Sequence, residues 1–559
     1  MRPGALAVLL LAVCGAVPAL AAAQAQRELP LAEARRILSA QGAQYGALAD
    51  DHPTTVRVRA IFEKLVRVAG RRPGVVLEVH VLDTPKIVGE SLRGGLVVVS
   101  RGLVDLAGPD DALAFVLAHE LAHLVRDHHG LLDSLGVLGA SVTPGRAPVP
   151  PEQVVRAYRA VELDADRLGV LVTALAGYRV VPKIPVLQTI IERSGPDLFH
   201  PHQKERAGVI REQVGEVVDH LEVFHLGLFL LVTGRYLDAA QLLEQFLSIF
   251  PSREVMSAAG VAYHREALRY APVPEYRHLL AVDTATRAPT TRGAPHPLFR
   301  QRLERAIHYY SLAVDADPTY APALNNLAAA YLDLGERELA LGHINRALRA
   351  DPGLASAYNN RALAAILTRE YRRAEDDLLT AARLAPGLRE VAGNLARLYE
   401  VTGRGDEARR WAQARPAESA AKSDGPDVVG AITPGMPTTR FGEWLSEPGV
   451  RQIKLPLARS GARELTLFVF SRRGLAVLTR DNEVEAVGLL PHAQAVAVRG
   501  VRTGDAAARI ETVYGRPAGL EGIQALNVWG FPARPLAFFV VNDRVQAIWA
   551  GRPPQGVRP

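Results

Sequence analysis

The spacing of apolar positions changes character along the chain. Residues 27 to 72, including "LPLAEARRILSAQGAQYGALA" and "TTVRVRAIFEKLVRVAG", repeat at helical spacing and predict amphipathic helices. Two β-rich runs follow, "VVLEVHVLD" and "GGLVVVSRGLVDL", with Gly94 and Gly95 turning the chain into the second. Asp110 and Asp111 suit the start of a helix through "ALAFVLAHELAHLVRDHH", and Gly130 suits its stop. A loop over residues 131–150 ends in "TPGRAPVPP", and the helix "EQVVRAYRAVELDADRLGVLVTALAGY" then closes at Gly177. These elements predict a first domain over residues 26–218.

From residue 219 the helical pattern repeats. In a frame beginning at Ala321, Leu327, Ala328, Tyr331, Gly335, Ala340, Ala347 and Pro352 mark one unit. Moving 34 residues on gives Ala362, Ala374, Ala381 and Pro386, and Asn326, Asn360 and Asn394 keep the same step. Leu226, Gly227, Gly234, Ala239 and Pro251 fit the frame earlier, as do Ala306, Ala313 and Pro318. Small residues where helices cross, with a proline closing each unit, resemble tetratricopeptide repeats. The resemblance implies an α-solenoid of about five repeats over residues 219–415, two imperfect, with an insert near 271–298. After a linker at residues 416–428 the period becomes two. "ELTLFVFSRRGLAVLTRDNEVEAVGLL" and "LNVWGFPARPLAFFVVNDRVQAIWAG" read as strand meanders turning at "RDNE" and "VNDR". Each follows a similar lead, so residues 429–559 are expected to form a duplicated α+β domain. That domain carries no catalytic constellation, and its role stays open.

Composition narrows the partners. At 559 residues the chain is too long for one core, and 48% apolar with 22% charged residues is the balance of a folded protein. Of 65 basic residues only six are lysines, and no basic run or basic–aromatic stripe occurs, so no nucleic-acid partner is expected. Arg2, the apolar run "ALAVLLLAVCGAV", Pro18 and small residues to Ala25 have the plan of a secretory signal peptide over residues 1–25. No later stretch is apolar for long enough to span a bilayer, so the mature chain is expected to be soluble or peripheral to the outer membrane, in the periplasm. The sole cysteine, Cys14, lies inside the signal. Lipid anchoring there competes with simple cleavage, but Val13 is bulkier than the small residue such a site wants. Cleavage leaves no thiol for disulfides, nucleophilic attack or metal ligation.

The chemistry concentrates in "LAHELAHLVRDHHG". On a helix His119 and His123 lie one turn apart on one face, where two imidazoles can hold one ion. Glu120 points about 100° away, near enough to reach a water beside that ion. Two buried histidines among Leu117, Leu121, Leu124 and Val125 need polar partners, and a metal provides them. A catalytic zinc also wants a third ligand and an open position. In "AVELDADRLGV", Glu162 and Asp166 are again one turn apart.

"VLAHELAHLVRDH" followed by "ELDADRLGVLVTALAGY" resembles the gluzincin-type zinc peptidase family of the CAAX prenyl endopeptidase, HtpX and BepA. The resemblance covers residues 45 to 215 and implies a mainly α metallopeptidase domain with a small β element. It makes Glu162 the third zinc ligand, one Zn2+ per chain, and Asp166 the carboxylate that orients a ligating histidine. It also implies that the edge of the strand in "RGGLVVVSRGLVDL" holds an extended substrate, although "PKIVGESLRGG" lacks the family's usual Asn-Ala pair. "FHPHQKER" resembles a further family element, in which His200 is an extra metal ligand or hydrogen-bond partner and Arg206 holds Asp166 or steadies the oxyanion. A His-Pro turn and a solvated helix charge are the plainer readings of those two residues.

The whole arrangement, signal, peptidase and repeats, is similar to BepA-type envelope proteins. It implies a zinc endopeptidase in which Glu120 is the general base and the repeats recruit protein substrates or dock a protein partner. A latent or non-proteolytic scaffold for envelope assembly is the competing expectation.

Overall fold

In the computed structural model the described residues are 31–69, 75–134, 151–178, 189, 220–248, 250–271, 297–386, 388–413, 432–455, 465–470, 472–490, 498–515, 526–531, 535–541 and 543–552. The expected signal with Cys14, the 416–428 linker, His200 and Arg206 lie outside them. No helix among the described residues is long and apolar enough to cross a membrane. The chain divides into two compact units, Met1–Val217 and Val218–Pro559.

In the first unit, α1 (residues 31–45) and α2 (Pro53–Ala69) precede a three-stranded sheet of order β1-β3-β2. Strand β3 (Leu96–Ser100) is wholly buried, pairing in parallel with β1 (Glu78–Leu82) and antiparallel with β2 (Gly89–Leu92). An uninterrupted apolar run suits such a central strand. The expectation that this strand lends its edge to a substrate is therefore corrected. Both edges of β3 are taken by its neighbours, and β2 is the outer strand on that side among the described residues. Ser100 then caps α3 (Arg101–Ala107), its Oγ accepting from the Leu103 N–H at 3.1 Å.

Helix α4 (Asp110–Val125) begins with Asp110 and Asp111, which complement the helix dipole, and is buried over most of its surface. It ends earlier than Gly130. Asp127 takes the left-handed conformation at φ 56°, which a short polar side chain tolerates, and α5 (His128–Ser134) restarts behind it. Gly130 sits inside α5, where a Cβ would lie 2.6 Å from Asp127 Oδ2. Helix α6 (Pro151–Leu175) closes as expected: Gly177 has φ 86° and donates to the Ala174 carbonyl at 3.0 Å.

Among the described residues the second unit has five helix pairs ahead of its sheet. They are residues 220–232 with Tyr236–Leu247, Arg253–Leu268 with Pro297–Ala316, Ala321–Leu334 with Arg337–Ala350, Ala355–Leu367 with Tyr371–Leu384, and Arg389–Val401 with Gly405–Gln413. The repeat step is visible in side chains. Asn394 Nδ2 donates to Asn359 Oδ1 at 2.8 Å, and Asn360 Nδ2 to Asn325 Oδ1 at 2.9 Å, so buried amides link successive inner helices. Gly335, Arg369 and Gly403 hold one turn position, at φ 82°, 61° and 76°.

The last part is a seven-stranded antiparallel sheet of order β4-β5-β6-β7-β10-β9-β8. Its strands are Val450–Leu455, Leu465–Phe470, Leu475–Arg480, Glu483–Leu489, Leu526–Phe531, Leu536–Val541 and Arg544–Gly551 for β4 to β10. The two meanders β5-β6-β7 and β8-β9-β10 meet through β7 and β10. Each is preceded by a short helical segment, Thr438–Ser446 or Ala508–Tyr514, tied to its meander in the same way. Gly435 N–H donates to the Val484 carbonyl at 2.8 Å, and Gly504 N–H to the Val545 carbonyl at 2.7 Å. At the seam Trp549 faces Gly488, where a Cβ would lie 2.4 Å from the indole. This sheet packs directly on the first helix pair. The Phe229 and Trp549 ring centroids are 5.8 Å apart, and Arg235 pairs with Glu485 at 2.6 Å.

Candidate metal centre

Helices α4 and α6 approach closely because of a residue that the motif reading passed over. A Cβ on Gly169 would lie 3.2 Å from the His119 backbone nitrogen and 3.3 Å from its Cα. Gly169→Val is therefore expected to force the two helices apart at a cost of about 1–3 kcal/mol, lowering the Tm and weakening zinc binding together. Thermal unfolding with and without zinc checks this; an unchanged midpoint in both states contradicts the close packing.

Across that contact the structure gathers His119, His123 and Glu162, all buried. His119 Nε2 and His123 Nε2 are 3.3 Å apart. Glu162 places Oε2 3.4 Å from His119 Nε2 and Oε1 3.5 Å from His123 Nε2. Two donors bound to zinc at about 2.0–2.1 Å and a tetrahedral angle stand about 3.3–3.4 Å apart, so the set fits a zinc ion. The donor chemistry agrees, with two imidazoles and one carboxylate. Glu120 lies beside His119 on α4, half-buried.

Asp166 is wholly buried, with Oδ1 2.9 Å from His119 Nδ1, the ring nitrogen that faces away from Glu162. Burial opposes a charge on His119, but Asp166 and Glu162 outweigh it and raise the imidazole to about 10. A buried carboxylate pair demands a nearby positive charge, which a proton on His119 supplies when no cation is present. Burial and the neighbouring His119 push His123 the other way, well below its usual value.

Of the residues that the motif reading did not single out, His128 adjoins the set and Asp164 adjoins His128. His128 Nδ1 lies 3.2 Å from His123 Nδ1, and His128 Nε2 lies 3.1 Å from Asp164 Oδ2. The available signal was the histidine pair directly behind the motif in "RDHHG". His129, by contrast, turns to Ser91 on β2, with Nε2 3.2 Å from Oγ.

Residues 53–143 match the sequence profile of peptidase family M48. This segment is similar to M48 peptidase domains. Glu162 and Asp166 lie beyond the matched residues, on α6. The mitochondrial metalloendopeptidase OMA1 of Saccharomyces cerevisiae is 27% identical over 164 residues, covering 26% of this chain and 48% of the relative. OMA1 of Schizosaccharomyces pombe is 38% identical over 77 residues, 14% of this chain and 23% of the relative. The chain thus spans at most about half the length of these relatives. Among solved structures, a thermophilic tetratricopeptide-repeat protein of Thermus thermophilus is 24% identical, covering 36% of this chain and 93% of its own, with a TM-score of 0.28. MamA is 19% identical, covering 32% of this chain and 84% of its own, with a TM-score of 0.22.

Proposed function

We propose that the chain is a zinc-dependent endopeptidase of the bacterial cell envelope, cleaving protein substrates in quality control or processing. The observation that carries this reading is the buried set His119, His123 and Glu162, with donors 3.3 to 3.5 Å apart, in a chain bearing an M48-like domain. The signal-like residues 1–25 support export to the periplasm. His119, His123 and Glu162 would hold a zinc ion, which would supply Lewis acidity toward a peptide carbonyl and an attacking water. Glu120 takes the proton from that water and returns it to the leaving amine. Asp166 pairs with His119 at Nδ1, which leaves Nε2 on the side of Glu162, where it would face a bound cation. The helix-pair array offers an extended surface for a protein substrate or partner.

The test is cleavage of casein by the purified chain before and after chelation. Activity is expected to vanish with the chelator and return with zinc. Cleavage that survives complete metal removal contradicts the proposal. A zinc-loaded chain that cleaves nothing favours the latent scaffold instead.

A further inference from the structure

We infer that His128 and Asp164 form a hydrogen-bonded relay that fixes His123 in its metal-ligating tautomer, making His128 a positioning residue of the zinc site. The inference rests on the zinc reading proposed above. It starts from a simple requirement of imidazole chemistry. A histidine that gives its Nε2 lone pair to a cation must carry its proton on Nδ1, and that proton needs an acceptor when buried. His119 has a carboxylate within ion-pair reach of that nitrogen, Asp166 Oδ1 at 2.9 Å from Nδ1. The atom facing His123 Nδ1 is instead another imidazole nitrogen, His128 Nδ1, at 3.2 Å.

That nitrogen accepts only if His128 carries its own proton on Nε2. Asp164 enforces this state, because a carboxylate is an acceptor alone and its Oδ2 lies 3.1 Å from His128 Nε2. The donations then run in one direction, from His123 Nδ1–H to His128 Nδ1, and from His128 Nε2–H to Asp164. Arg126 Nε, 3.5 Å from the same Asp164 oxygen, favours the ionised carboxylate. Both ligating histidines therefore have an aspartate of α6 beside them, Asp166 next to His119 and Asp164 reached from His123 through an imidazole.

The backbone is shaped for this contact. Five residues along a continuous helix would place His128 about 140° round from His123. The left-handed Asp127 breaks the helix between them and lets α5 bring the His128 ring edge-on against His123, at 83° and 5.0 Å between centroids. His128 is buried, whereas the Asp164 side chain is 39% exposed, so Asp164 can be replaced without opening a core cavity.

Zinc affinity, measured by chelator competition on the full chain, tests the relay, together with the visible spectrum of the cobalt(II)-loaded protein. His128→Leu keeps an apolar filler but removes the acceptor, and is expected to weaken zinc about 10- to 100-fold and alter the cobalt spectrum. His128→Gln restores an acceptor oxygen and should recover most of the affinity, which a purely space-filling role would not produce. Asp164→Ala should weaken zinc several-fold while the protein stays folded, so the inference remains testable if His128→Leu does not fold. His129→Gln should leave affinity and spectrum unchanged. Equal zinc affinity in wild type, His128→Leu and Asp164→Ala overturns the relay while leaving the zinc site standing. A wild-type chain that binds no zinc overturns the parent reading instead.

Discussion

Glu120→Gln should purify with zinc bound as tightly as in the wild type and cleave casein about 10²–10⁴-fold more slowly. The expectation follows from where the side chain sits. Glu120 is adjacent to His119 but about 100° round α4, so it is not among the three donors that converge, and its amide analogue leaves that set intact. What the amide cannot do is accept a proton from water, since glutamine is not basic at any working pH. Metal content and initial rates on the same preparation separate the two effects. Full activity in the variant removes Glu120 from the chemistry; loss of zinc makes it a ligand.

Glu162→Ala should lose both. Its two oxygens lie 3.4 and 3.5 Å from the two imidazole nitrogens, completing a set that two histidines on one helix cannot finish. Removing a ligand should weaken zinc by more than the roughly 10–100-fold expected from losing an outer partner, and proteolysis should fall with it. The variant also lifts a negative charge from the cavity, so His119 loses one of the two carboxylates that hold its proton. The raised pKa of the metal-free imidazole should accordingly fall, which NMR titration of the metal-free protein reads. Zinc retained at wild-type affinity in Glu162→Ala would place the third ligand elsewhere.

The legible parts of this protein are those whose chemistry is local. His119 and His123 announce themselves because a four-residue step on a helix fixes their geometry, and Asn326, Asn360 and Asn394 because each repeat buries the same amide. Strand β2 escaped notice because "GESL" is short and of mixed polarity; only pairing with β3 makes it a strand. That pairing also moved the outer edge of the sheet from the strand expected to offer it. His128 escaped for a different reason. Its contact depends on Asp127 adopting a left-handed backbone, a choice that hydrophobic periodicity does not record. Gly169 reads as an ordinary small residue until the distance to the His119 backbone is known. A change of period separates the C-terminal region from the repeats in the sequence, whereas Phe229 against Trp549 joins them physically.

The most direct test of the central claim is metal analysis of the purified chain combined with zinc X-ray absorption spectroscopy. The arrangement of His119, His123 and Glu162 predicts one zinc per chain, in a nitrogen and oxygen shell that contains two imidazoles. A chain that takes up no transition metal, or a bound zinc without histidine scattering, contradicts it.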